Sequence, residues 1–245
     1  MEKPMARLSF LLMVLPLLMI AGCNTENWNA GPPQTESRTV MLGEAKSARV
    51  EIDMPAGELS VGSGAKDLLE ADFSYPGPSL RPQVEYDVSA GQGRLTIRQP
   101  GSVHGRGSGR NTWDLRLSNK VPLELKVGQG AGRARLTLGG LSLSRLDVDI
   151  GAGETIVDLT GDWKHDLTAH IAGGVGRATV RLPSDVGVRA SAQGGIGAIH
   201  VHGLTKDGDA YINEAYGKSP ITVKVQVEGG VGEINLELAE APPSV

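Results

Sequence analysis

The sequence predicts an all-β fold: a single-domain β-solenoid, β-helix-like, of about seven glycine-cornered repeats with loop insertions. An antiparallel meander or sandwich is the alternative. Three observations carry this expectation. Glycine supplies 34 of the 245 residues, about twice average usage. Apolar residues alternate with polar ones on both sides of each glycine cluster, the signature of half-buried strands. The clusters also recur at related spacings, as stacked repeats do.

The clusters end at Gly57, Gly93, Gly132, Gly153, Gly176, Gly197 and Gly232, at intervals of 36, 39, 21, 23, 21 and 35. The basic unit is therefore about 21 residues, and the longer intervals add an insertion. Seven and five residues before each glycine stand pairs such as Val50 and Ile52, Tyr86 and Val88, Leu125 and Val127, or Val225 and Val227. Two and four residues after it stand Leu59 and Val61, Leu95 and Ile97, Ala134 and Leu136, or Ile234 and Leu236. Thr155 is the one non-apolar residue in the set. The inward parity switches across the glycine, which a straight strand cannot do. Each cluster is accordingly expected to be a corner, bulge or turn, where glycine accepts positive φ and close backbone approach. The insertions at 62–83, 99–120 and 203–220 are expected as loops between strands.

The N-terminus is of a different kind. Basic residues at Lys3 and Arg7 precede the apolar run Leu8–Ile20, interrupted by Pro16, and Ala21, Gly22 and Cys23 follow. This is the layout of a secretory signal, too short to span a bilayer as a helix. Ile20-Ala21-Gly22-Cys23 resembles the lipobox of bacterial lipoproteins. That resemblance implies a signal peptide over 1–22, lipidation (palmitate among the acyl chains) at Cys23 and attachment to the membrane through the lipid. Asn24 rather than aspartate after the cysteine implies the outer membrane in a diderm cell. Residues 23–37 are expected as a flexible tether, 38–238 as the β domain and 239–245 as a tail.

VEIDMPAGELSV (50–61), the GGVG and GGIG corners and YINEAYGKSPITVKVQVEGGVGEINL (211–236) resemble the toast-rack family of bacterial envelope proteins and its LiaF-type and adhesin-like relatives. The resemblance implies a β-solenoid at the cell envelope, facing periplasm or exterior. It implies a structural or adhesin-like interaction module, or else a regulatory component of the envelope stress response, as for LiaF-type proteins. It transfers no catalytic residues.

The chain itself argues against several other classes. One cysteine excludes a disulfide scaffold, and a net charge of −4 without a basic run argues against nucleic acid. No catalytic motif is present, so no enzyme, cofactor or resident metal is expected. The candidate ligand-facing ladder comprises outward residues after the glycines: Arg133, Arg135, Glu154, Arg177, Arg181, His200, His202 and Glu237, with Arg94 and Arg98 in the same columns. It is either a binding stripe for a charged glycan or a solvated face whose ion pairs set the stacking register. His200 and His202 point the same way, and Glu237 stands at the offset of His202, a sparse start for a metal site. If the units stack in order, Glu154 lies between Arg133 and Arg177, and Asp147 between Lys126 and His170. An envelope protein or glycan is the expected partner besides the membrane.

Overall fold

Period-two alternation without a helical period commits nearly the whole chain to strands. A computed structural model describes residues 33–100 and 110–240. The signal peptide, Cys23 and the glycine-rich stretch 101–109 lie outside them, as do most of the tether and tail. Thirteen strands form one sheet: β1 (Gln34–Val40), β2 (Ser47–Ser63), β3 (Leu69–Tyr75), β4 (Gln83–Ser89), β5 (Gln92–Arg98), β6 (Thr112–Leu117), β7 (Leu123–Thr137), β8 (Leu143–Asp158), β9 (Leu167–Leu182), β10 (Gly187–His202), β11 (Thr205–Asp207), β12 (Ala210–Ile212) and β13 (Thr222–Leu238).

The six long strands stack in parallel in the order β2-β7-β8-β9-β13-β10. Each is one rung and bends at its key glycine into two arms. The φ angles there are +144° at Gly57, +127° at Gly132, +134° at Gly153, +139° at Gly176, +142° at Gly197 and +139° at Gly232. These values lie in the region that favours glycine. A second demand is steric. A Cβ on Gly153, Gly176 or Gly232 would stand 1.8 Å from the carbonyl oxygen of the key glycine on the neighbouring rung. Rung stacking at the corner therefore excludes every side chain.

The arms bury what the alternation marks as inward. Val50, Ile52, Leu125, Val127, Leu146, Val148, Ile171, Val225 and Val227 from the first arms join Leu59, Leu136, Val157, Val180 and Leu236 from the second in one core. The short returns 138–142 and 159–166 add Leu138, Leu141, Leu159 and Trp163, whose indole donates to the Leu159 carbonyl at 2.8 Å.

Three expectations need correction, and the cluster at Gly93 proves a turn where the other six are corners. It lies in a β4–β5 hairpin whose turn is Ala90 (φ +51°) and Gly91 (φ +78°), and a Cβ there would sit 2.9 Å from the Tyr86 ring. Here glycine makes room for the Tyr86 ring. The second rung is consequently split: β5 lines up with the first arm of β2, and β6 with its second arm. Arg94 and Arg98 thus stand in register with Arg49 and Asp53, away from the second-arm ladder. The insertions are also not plain loops, since they carry β3, β6, β11 and β12. Finally, the rungs leave sequence order at both ends: the split β5/β6 rung lies outside β2, and β13 slots between β9 and β10.

Antiparallel strands finish both ends of the stack. β1-β3-β6 and β4-β5 cover the end at β2. In this cap Arg81 holds Glu36 in a bidentate pair at 2.7 and 2.9 Å, helped by Arg38 and by the Tyr75 hydroxyl at 3.3 Å. The Arg81 hydrogen bonds are the main cause that holds the Glu36 carboxyl at about 2, against opposing burial. A depressed carboxyl stabilises the fold above its unfolded value near 4.5 and loses that contribution as pH falls from 4.5 towards 2. Solvent screens the half-exposed arginines, so the contribution is about 1 kcal/mol. Glu36→Gln is expected to lower Tm at pH 7 and to converge with wild type near pH 2, measured by thermal melts across that range.

Candidate functional site

Stacking turns the outward residues of successive rungs into columns. One residue past the glycine the column runs Glu58, Arg133, Glu154, Arg177, Glu233, Ala198. The sign alternates without a break until the last rung, because β13 places Glu233 between Arg177 and Ala198. The closest contacts are Arg133 Nε to Glu154 at 3.1 Å and Arg177 Nε to Glu233 at 2.8 Å. The hydrogen bond and charge of Arg177 hold the Glu233 carboxyl below its ordinary range. Five past the glycine, Arg181 lies between Asp158 at 3.8 Å and Glu237 at 3.6 Å, and His202 is in register with Glu237.

The expected juxtapositions are present. Glu154 stands between Arg133 and Arg177, and Asp147 between Lys126 and His170. The closest ion pairs on the first arm are different ones: Asp147 takes Arg145 of its own strand at 2.8 Å, and Lys126 takes Glu51 of β2 at 3.2 Å. Arg135 stands between Ser60 and Ile156 and makes no ion pair among the described residues. His200 is beside Asn235. Among the described residues no three of His, Cys, Asp and Glu come together as metal ligands, so His200, His202 and Glu237 do not converge.

The ladder faces are thus close to charge-balanced. Glu154→Lys would set three cations in one column. It is expected to cost about 1 kcal/mol at low ionic strength and less at high salt, read as a Tm shift in both conditions. An unchanged Tm in both would remove the ladder from the account of register.

The β10 end of the stack differs from the β2 end in two ways that alternation does not reveal. Three residues before the key glycine, pointing into the corner, the column runs Met54, Gln129, Ile150, Gly173, Gly229, Gly194. Gln129 is buried and donates to the Gly57 carbonyl at 2.8 Å, and beside it Asn111 donates to Ala56 at 2.6 Å and to Gln99 at 2.7 Å. Large side chains therefore plug the corner near β2, whereas three stacked glycines leave it hollow near β10. An apolar cavity of about 80 Å³, walled by Ile150, Ile171, Ile234 and Ile199, occupies that space. At the tip of the same corner the small residues Ala56, Ala131 and Ala152 give way to Val175, Val231 and Ile196, which are 57%, 47% and 73% exposed.

The second difference is the edge. Beyond β13, β10 pairs only with β12, at Arg189 and Ala190, and Asn213 bonds the backbone of Val186 and Val188. Residues 191–202 have no strand partner on that side among the described residues. Such an edge is a template for another strand. β10 carries no proline or lysine to discourage pairing.

The model of the N-terminal domain of toast_rack, DUF2154, matches residues 29–181. A solved candidate cell adhesion protein from Clostridium sporogenes is 33% identical, with a TM-score of 0.82 over 84% of this chain and 100% of its own. A candidate adhesin from Bacteroides fragilis is 11% identical over 83% of this chain and 97% of its own, and its TM-score of 0.32 is too low to carry an argument. No curated protein matches.

Proposed function

The chain belongs to the toast-rack family, and from that premise we propose that it is a lipid-anchored protein of the bacterial cell envelope whose β-solenoid is a non-catalytic, adhesin-like interaction module. The observation that carries the proposal is the unpartnered edge of β10 beside the exposed Val175, Val231 and Ile196. The ladder charges are mostly spent on one another, whereas the edge and its apolar rim are a part of the described surface with unused binding capacity. The description of the Clostridium sporogenes relative as a candidate cell adhesion protein supports the same reading.

Its placement fits an anchor. β1, nearest the N-terminus, lies at the opposite end of the sheet from β10. Eight strand steps separate them, or roughly 40 Å along the stack at the usual spacing. A lipid on Cys23 would hold the β1 end near the membrane and leave the open edge outermost. The apolar run closing on a lipobox-like cysteine supports that lipid.

Cys23→Ala should move the protein from the membrane fraction to the soluble fraction and abolish acyl labelling. Protein that stays on membranes without label would overturn the anchor. Deleting the gene should impair adhesion or envelope integrity. A shift confined to envelope-stress transcripts would replace the interaction module with a regulatory role.

A further inference from the structure

We infer that β10 pairs with β10 of a second copy of this chain, antiparallel and about a two-fold axis through the Ile196–Gly197 corner. This rests on the open edge being the interaction element.

The free stretch 191–202 is centred on that corner. A two-fold axis along the bisector of a bent strand exchanges its two arms, so each first arm lies against the partner's second arm. Residue numbers facing each other then sum to the same value: Ser191 faces the partner's His202, Ala192 the partner's Val201, Gln193 the partner's His200 and Gly194 the partner's Ile199. Inward residues meet inward residues, and outward meet outward. A one-residue slip would break this, because it turns every side chain to the other face. The corner glycine makes the match possible, since the parity switch across it is what an arm-for-arm exchange requires.

The side chains agree with this register. No Asp, Glu, Lys or Arg occurs in 191–202, so no like charges oppose one another. Gln193 and Ser191 each meet an imidazole with which they can hydrogen-bond. Gly194, which lines the apolar cavity and packs beside its own chain's Ile199, meets the partner's Ile199 with no side chain to oppose it; Ile199 is 40% exposed in the single chain. The short strand β12 occupies the edge at Arg189 and Ala190 and Gly203 turns the chain away after His202, which stops the pair at both ends.

Other occupants fit less well. The five C-terminal residues Ala-Pro-Pro-Ser-Val hold two prolines, which lack the donors a strand needs. Head-to-tail stacking would set β10 against β1 or β4, short edges carrying Glu36, Arg38, Glu85 and Asp87, the kind of charge that discourages strand addition. A self-complementary, closed dimer results.

The test is sedimentation velocity on the purified full-length chain and two double variants. Wild type should sediment as a dimer. Gln193→Lys with His200→Lys places lysine against lysine twice and should weaken association at least tenfold, with the Tm of the dissociated chain unchanged. Gln193→Glu with His200→Lys places opposite charges face to face twice and should restore the dimer. A wild-type chain that stays monomeric at ~100 µM, a weak-binding range, overturns the pairing. So does a dimer indifferent to both variants. A dimer in solution without any adhesion or integrity defect on gene deletion would sink the proposed function alone, and the reverse result would sink only the pairing.

Discussion

Replacing Gly176 by alanine is expected to lower stability by about 4 kcal/mol or more, at the top of the range for single substitutions. Two costs combine. At φ +139° an L-residue is strained, by about 1–3 kcal/mol. The new methyl would also stand 1.8 Å from the Gly153 carbonyl oxygen and 2.8 Å from its carbon. Backbone atoms cannot rotate aside as a side chain does, so the β8–β9 ladder must open at the corner. Gly208→Ala is the control. Its φ is +60°, but nothing lies within 4 Å of the added carbon, and it should cost only about 1 kcal/mol. For a domain of this size the contrast corresponds to a Tm drop of roughly 10 °C against one of a few degrees. Equal, small losses at both sites would show that close corner stacking does not hold the rungs together.

That contrast also marks how far the sequence could be read. Gly57, Gly132, Gly153, Gly176, Gly197 and Gly232 were legible as corners because the parity of the buried positions switches across each of them. Gly93 shows the same switch for another reason. A tight hairpin at Ala90-Gly91 also brings two alternating strands together, and Tyr86 and Leu95 end as cross-strand neighbours. Alternation reports that one face is buried, not which strand lies alongside. The same blindness explains the misplaced last rung. β10 and β13 carry nearly identical patterns, so nothing local decides which follows β9. One non-local signal was available. Setting Glu233 between Arg177 and Ala198 completes the charge alternation, and sequence order breaks it. The open edge left no trace of its own, because it is a missing neighbour, and neighbours emerge only when the rungs are placed.

The two ends of the stack differ in what a mutation there would do, and Trp113 decides the behaviour of the covered end. Trp113 is fully buried in β6, in register with Leu59 of β2 on one side and Phe73 of β3 on the other. Its ring meets Phe73 edge-on, with centroids 5.4 Å apart and planes at 85°, a geometry worth about 0.5–1.5 kcal/mol beyond burial. Trp113→Ala should therefore cost about 3–5 kcal/mol, the range for emptying a large aromatic site. Trp113→Phe should cost much less, about 1–2 kcal/mol. It keeps most of the packing, and the indole N–H has no hydrogen-bond partner among the described residues to lose. The consequence reaches beyond stability. In the strand order β1 and β3 join the rack through β6, so loosening β6 uncovers the second arm of β2, Glu58–Ser63. That would add an open edge with a single charge, Glu58, to the one at β10, whereas β1 and β4 now present short charged edges. Two edges that accept strands propagate where one can only pair. Trp113→Ala is thus expected to form species larger than a dimer on mild heating, while Trp113→Phe keeps the wild-type size distribution. Thermal melts with light scattering on the three proteins measure both effects. Growth beyond the dimer in Trp113→Phe as well would trace the association to something other than the uncovered β2 edge.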